Sequence, residues 1–208
     1  MTTPLHQQWL RLCEGLQLKA ELCDSYWEEI CSHYGGMARH YHNLLHLEEL
    51  LDWLAIYEEQ IIDKEIFQLS IWYHDIIYVA GRKDNVWESA EFARMRLPDF
   101  GLSADRIEQC CQQILATKSH QLLNTDPDLP YLLDFDLAIL AKPWANYQVY
   151  AQQIRKEFQV FPDDLYQAGR KKALQSFLTR PSIYHTPALR DQLEDQARQN
   201  IQAEIALL

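Results

Sequence analysis

The chain has 208 residues, 48% of them apolar and 24% charged, which suits one domain or at most two small ones and excludes a mostly disordered polypeptide. Its longest unbroken apolar runs are five residues, as in Trp53–Tyr57, far short of a bilayer span. With 19 Lys and Arg against 30 Asp and Glu the net charge is −11, which repels polyanions and argues against general DNA or RNA binding, yet leaves room for a small phosphorylated ligand.

The N-terminal Met1-Thr-Thr-Pro-Leu-His6 shows neither a basic region nor an apolar one, so no secretory signal is expected. Cys13, Cys23, Cys31, Cys110 and Cys111 are odd in number, two are adjacent, and none forms a CxxC pair. That pattern fits buried thiols in a reducing cytoplasm rather than a disulfide framework or a zinc ribbon.

Helical periodicity begins with Leu5, Trp9, Leu12, Cys13 and Leu16. Ser25-Tyr-Trp-Glu28 reads as a capping box, with Gly35-Gly36 stopping that helix. A strong helix is predicted from Asn43 to about Gln60 on the stripe Leu47, Leu50, Leu51, Leu54, Tyr57. Asp63 caps the next, which is expected to reach about Tyr78. After a loop over 79–84, Asn85-Val-Trp-Glu88 reads as a second capping box, with its helix running to Leu97. Ser103 starts a helix ending near Lys118, and residues 119–130 form a polar loop. Further helices are predicted over 131–141, 145–160, 163–179 and 187–205, the last with Thr186 as N-cap and Pro187 at its first position. No segment alternates long enough to be a strand. The expectation is an all-α, single-domain helical bundle over 1–208, with a core at 37–141 and the helices of 145–205 packing on it.

Three histidines, His40, His42 and His46, lie within seven residues. His42 and His46 stand at i and i+4, so on a helix their Cβ atoms are about 5–6 Å apart and both can address one ion or ligand. His74 and Asp75 interrupt the apolar run Ile71–Tyr78, and Asp134 and Asp136 interrupt Leu132–Leu140. A carboxylate in such surroundings is costly unless paired or bound to metal. Imidazoles with carboxylates make a mixed N/O site suited to one divalent ion: Mn, Mg, Fe, Co, Ni or Zn.

In this order the residues resemble the HD-domain superfamily of metal-dependent phosphohydrolases, whose signature is a His, a His-Asp dyad and a distant Asp on helices of an all-α core. The matching positions are His46, then His74-Asp75, then Asp134 or Asp136. Tyr-His42-Asn43-x-x-His46 also looks like the stretch from which related cyclic-nucleotide phosphodiesterases take a general-acid His and a metal-ligand His. Those enzymes follow the dyad with another His, and this chain has Ile76, so cyclic-nucleotide specificity is not carried over. The elements YHNLLHL, WYHDIIY, ATKSH and DFDLAIL are similar to those of an uncharacterised bacterial subgroup of predicted HD phosphohydrolases.

The resemblance implies metal ligands His46, His74, Asp75 and Asp136, with Asp134 a cap or a partner of the ligands. It implies Asp75 orienting the attacking water and His42 as general acid. Lys118, His120, Arg39 and Asn43 are candidates for substrate contacts, and a cytoplasmic enzyme acting on a small phosphoester, a nucleotide or related metabolite, is the expectation. A ligand-sensing HD scaffold without catalysis and a di-iron HD-fold oxygenase are the alternatives. The oxygenase needs extra His ligands between the dyad and the last Asp, where this chain has only His120. The sequence leaves the oligomeric state open.

Overall fold

The structure, a computed structural model, describes residues 3–122 and 124–208. Residues 1 and 2, within the segment read as lacking a signal, and residue 123, within the expected 119–130 loop, lie outside the described residues. The described chain is all-helical and without strands, as the periodicity predicts. None of its helices is long and apolar enough to cross a membrane. The chain divides into two compact units, residues 1–129 and 130–208.

The first unit holds α1 (Pro4–Gly15), α2 (Ala20–Tyr34), α3 (Leu44–Tyr57), α4 (Lys64–Tyr73), α5 (Asn85–Arg96) and α6 (Ala104–Ala116). Its centre is α4, which packs on α1, α3, α5 and α6. Ile66, Phe67, Leu69, Ser70, Ile71, Trp72 and Tyr73 are all buried, so this helix has no solvent face from Leu69 to its end. Such a helix is held by its surroundings rather than by amphipathicity. Trp9 of α1 meets Trp72 edge-on at 5.5 Å and donates its indole N–H to the Cys23 carbonyl, 2.9 Å away. The start of α4 is fixed twice. Asp63 accepts from the Ile66 N–H and takes both Nε and Nη2 of Arg106, while Asp128 accepts from the N–H groups of Ile62 and Asp63, each at 2.8 Å.

Asn43, Asp63, Ser103 and Thr186 each cap the expected helix with a side-chain oxygen. Three expectations need correction. The helix read as starting at Ser25 begins at Ala20 behind Lys19, which leaves Ser25 inside it and not a cap. Asn85 is the first residue of α5 behind Asp84, and no side chain caps that helix. Asn85 instead bonds both N–H and C=O of Val79, and Glu88 pairs with Arg82, so neither is free for a capping box. The helix expected to reach Tyr78 stops at Tyr73, for a reason that bears on the site. Gly35, by contrast, ends α2 as expected: a Cβ there would lie 2.6 Å from the Cys31 carbonyl oxygen, so no other residue fits without a shift.

The second unit starts within α7 (Leu129–Leu137), continues through a 3₁₀ turn at Ala138–Ala141, and adds α8 (Trp144–Glu157), α9 (Asp163–Leu178) and α10 (Pro187–Leu207). Asp134, fully buried, accepts from the N–H groups of His185 and Thr186 and from the Thr186 hydroxyl, which anchors the start of α10. Burial raises the Asp134 carboxyl above the usual range against the pull of those hydrogen bonds. Glu194 of α10 holds the segment before it, accepting from the N–H groups of Ile183 and Tyr184, the Ser182 hydroxyl and Arg198. Burial pushes this carboxyl up, but the hydrogen bonds outweigh it and hold it below the ordinary value.

A depressed carboxyl contributes stability that is present above its unfolded value, about pH 4.3, and lost as pH falls through the lower folded value. Glu194→Gln is therefore expected to cost about 1–3 kcal/mol at neutral pH, with the gap to the parent closing as the medium falls below about pH 4. Denaturant unfolding across pH 3–7 measures it.

All five cysteines are free, and only Cys31 is part-exposed. Burial pushes the thiols of Cys110 and Cys111 up to about 12 and about 11. Thiolate is the reactive form, so a disulfide reagent at neutral pH is expected to titrate Cys31 alone in the native protein and the rest only on unfolding.

Candidate metal centre

The histidines converge because two helix termini meet. Asn43 caps α3, accepting from the Leu45 N–H at 2.9 Å and donating to the His40 carbonyl at 3.0 Å, so that His46 lies in the first turn, 3% exposed. His74 is the C-cap of α4 and 1% exposed. Beyond it the chain turns instead of continuing as helix because its carbonyls have other partners. Arg39 donates to the carbonyls of Asp75 (2.7 Å) and Ile76 (2.6 Å), and Ser89 bonds both N–H and C=O of Ile77. Arg39 also donates to the His42 carbonyl at 3.0 Å. It thereby staples the segment before α3 to the turn after α4, and this brings His42 and Asp75 beside each other.

Nε2 of His46 and Nε2 of His74 lie 3.1 Å apart. Nδ1 of His74 is 2.8 Å from the Ile71 carbonyl oxygen. A carbonyl can only accept, so Nδ1 carries the proton and a neutral His74 presents the lone pair of Nε2. This is how a histidine ligand is usually oriented by its surroundings. Asp75 Oδ2 stands 3.4 Å from His74 Nε2 and 3.9 Å from His42 Nε2. The His42 ring stacks on Tyr78 at 4.2 Å and meets Tyr41 edge-on at 4.9 Å.

Two of the candidate ligands, His46 and His74, stand together in the first unit and could hold a metal ion between their facing Nε2 atoms. The donor set fits such an ion. Imidazole nitrogens suit the divalent first-row metals, and the two Nε2 atoms lie 3.1 Å apart. In the second unit the oxygens of Asp134 are spent on His185 and Thr186. Asp75 lies beside the two imidazoles, between His74 and His42.

The expected substrate contacts sit as follows. Arg39 and Asn43 are engaged with main-chain groups as described. Lys118 is exposed, two residues past the end of α6, where its charge acts on Asp84. His120, whose N–H donates to the Ala116 carbonyl, takes a left-handed backbone with φ of 48°, a strained conformation for a residue other than glycine. Tyr78, to which the sequence reading assigns nothing, is the ring against His42. Its place four residues after His74 is the one signal that could have singled it out. Comparison of the chain with protein-family models, with curated proteins and with solved structures finds no match in any of the three.

Proposed function

We propose that the chain is a metal-dependent phosphohydrolase of the HD-domain type, acting on a small phosphoester such as a nucleotide or a related metabolite. The observation that carries the reading is the pair of buried imidazoles whose Nε2 atoms face each other at 3.1 Å, one of them oriented by a main-chain carbonyl. The order of His46, His74-Asp75 and Asp136 along the chain, which resembles that superfamily, supplies the reaction class.

His46, His74 and Asp136 would hold the ion, with Asp75 beside it. When bound, a divalent ion would offset charge on the phosphoryl oxygens and make a water more acidic. The chain's own groups then divide the work. Asp75 Oδ2, between His74 and His42, accepts a hydrogen bond from the attacking water and orients it. His42, its ring held face-on by Tyr78, carries a proton on Nε2 and gives it to the leaving oxygen.

A panel of phosphomonoesters, phosphodiesters and nucleotides, run against metal-free protein reconstituted with Mn, Co, Ni, Mg, Fe or Zn, tests this. The expected result is hydrolysis of a narrow set of substrates, dependent on added metal. Metal binding at the histidines without turnover of any phosphoester would contradict it.

A further inference from the structure

The second unit contains a cleft that the proposed chemistry does not use. It lies between α8 and α9, has a volume of about 350 Å³, and is walled by apolar and aromatic side chains that include Phe158, Phe161, Leu165 and Tyr166. That is within the range of small-ligand sites. No acidic side chain lines it among the described residues, and its one charged group is Arg170.

Arg170 is 11% exposed and pairs side-on with Glu204, Nε to Oε1 at 2.8 Å and Nη2 to Oε2 at 3.0 Å. Glu204 does not line this cleft. It faces the neighbouring cavity and is also bonded by the Tyr147 hydroxyl. The remaining contacts of Arg170 are with Tyr150: Nη1 to its hydroxyl at a long 3.4 Å, and the guanidinium carbon over its ring at 5.2 Å. The second N–H of each terminal nitrogen has no partner among the described residues. A nearly buried guanidinium with unused donors at the wall of an apolar cleft is complementary to an anion that carries an apolar tail.

A second observation comes from α9. Gly169 sits inside a sixteen-residue helix, where glycine is the least favourable residue after proline. A Cβ built on it meets nothing within 4 Å, so no neighbour requires a glycine there. It lines the cleft, and its missing side chain leaves that floor open.

We infer that the cleft between α8 and α9 binds a medium-chain carboxylate, with the apolar chain along Phe158, Phe161 and Leu165 and the carboxylate on the free edge of Arg170. Arg155 fixes the aromatic end of the cleft: it donates to the carbonyls of Phe158 and Phe161 and pairs with Asp163, which locks the connection between the two helices. Nothing in this site depends on the metal centre.

The test is calorimetric titration of the intact protein with decanoate, and with decanol and decyltrimethylammonium as probes of equal chain length. Saturable binding of one decanoate per chain, at least tenfold tighter than either neutral or cationic probe, is expected. Equal binding of all three, or no saturable binding of decanoate, overturns the inference. Gly169→Leu fills the floor of the cleft at an exposed, helix-favouring position. It should weaken decanoate at least tenfold without lowering the melting temperature, and undiminished binding in that variant overturns the location. The paired substitution Arg170→Gln with Glu204→Gln, which removes both charges together, should abolish the preference for decanoate over decanol. A preserved preference overturns the role of Arg170.

Discussion

His46→Ala and His74→Ala are each expected to lower affinity for a divalent ion by about 100-fold or more, since even partners of the ligands cost about 10–100-fold. Either change removes one of two facing Nε2 atoms and leaves the other imidazole buried without its facing nitrogen. Elemental analysis after dialysis against trace metal measures the loss. His6→Ala is the control: His6 stacks on Trp27 elsewhere in the first unit, and that variant should retain metal at the parent level. Retention of metal by His74→Ala at the parent affinity would remove the dyad from the account.

The second large effect concerns His42. Its Nε2 faces Asp75 and its ring stacks on Tyr78, but it is not one of the two imidazoles whose Nε2 atoms face each other. His42→Ala should therefore keep metal while losing about 10²–10⁴-fold in turnover, the usual contribution of a positioned acid. The deficit should shrink on an aryl phosphoester, whose leaving group needs little protonation in the transition state. Metal loss as complete as in His46→Ala, or an equal deficit on activated and ordinary substrates, would make His42 a ligand or a structural residue. Turnover of the parent and of His42→Ala is compared at equal metal loading.

What the sequence made legible was whatever depended on near neighbours. The stripe of α3 and the caps Asn43, Asp63, Ser103 and Thr186 need only residues within one turn, and all are where the pattern puts them. The polar interruptions at His74 and at Asp134-Phe-Asp136 likewise pointed to residues that the structure buries or engages. The error at the end of α4 came from a partner distant in the chain. The apolar run Ile71–Tyr78 reads as helix throughout, and nothing local says that Arg39 will take two of its carbonyls from 36 and 37 residues away. The false capping box at Asn85 has a nearer cause: Val79 and Arg82, six residues before Asn85 and Glu88, claim the side chains it needs.

The division of labour between Asp134 and Asp136 was only half legible. Residues two apart on a helix point about 200° apart, so one of them must face away from any common site. Which one faces away depends on the N–H groups of His185 and Thr186, some fifty positions on. Arg39 and Asn43 show the converse. A cation and an amide beside three histidines read as ligand contacts, and in the fold both are used to build the turn that presents His42.

The most direct measurement is an anomalous-difference map from a crystal grown with Mn²⁺, collected at the manganese edge. The account predicts one strong peak within bonding distance of Nε2 of His46 and Nε2 of His74. A peak elsewhere, or none at saturating metal with the two imidazoles still facing each other, would contradict it.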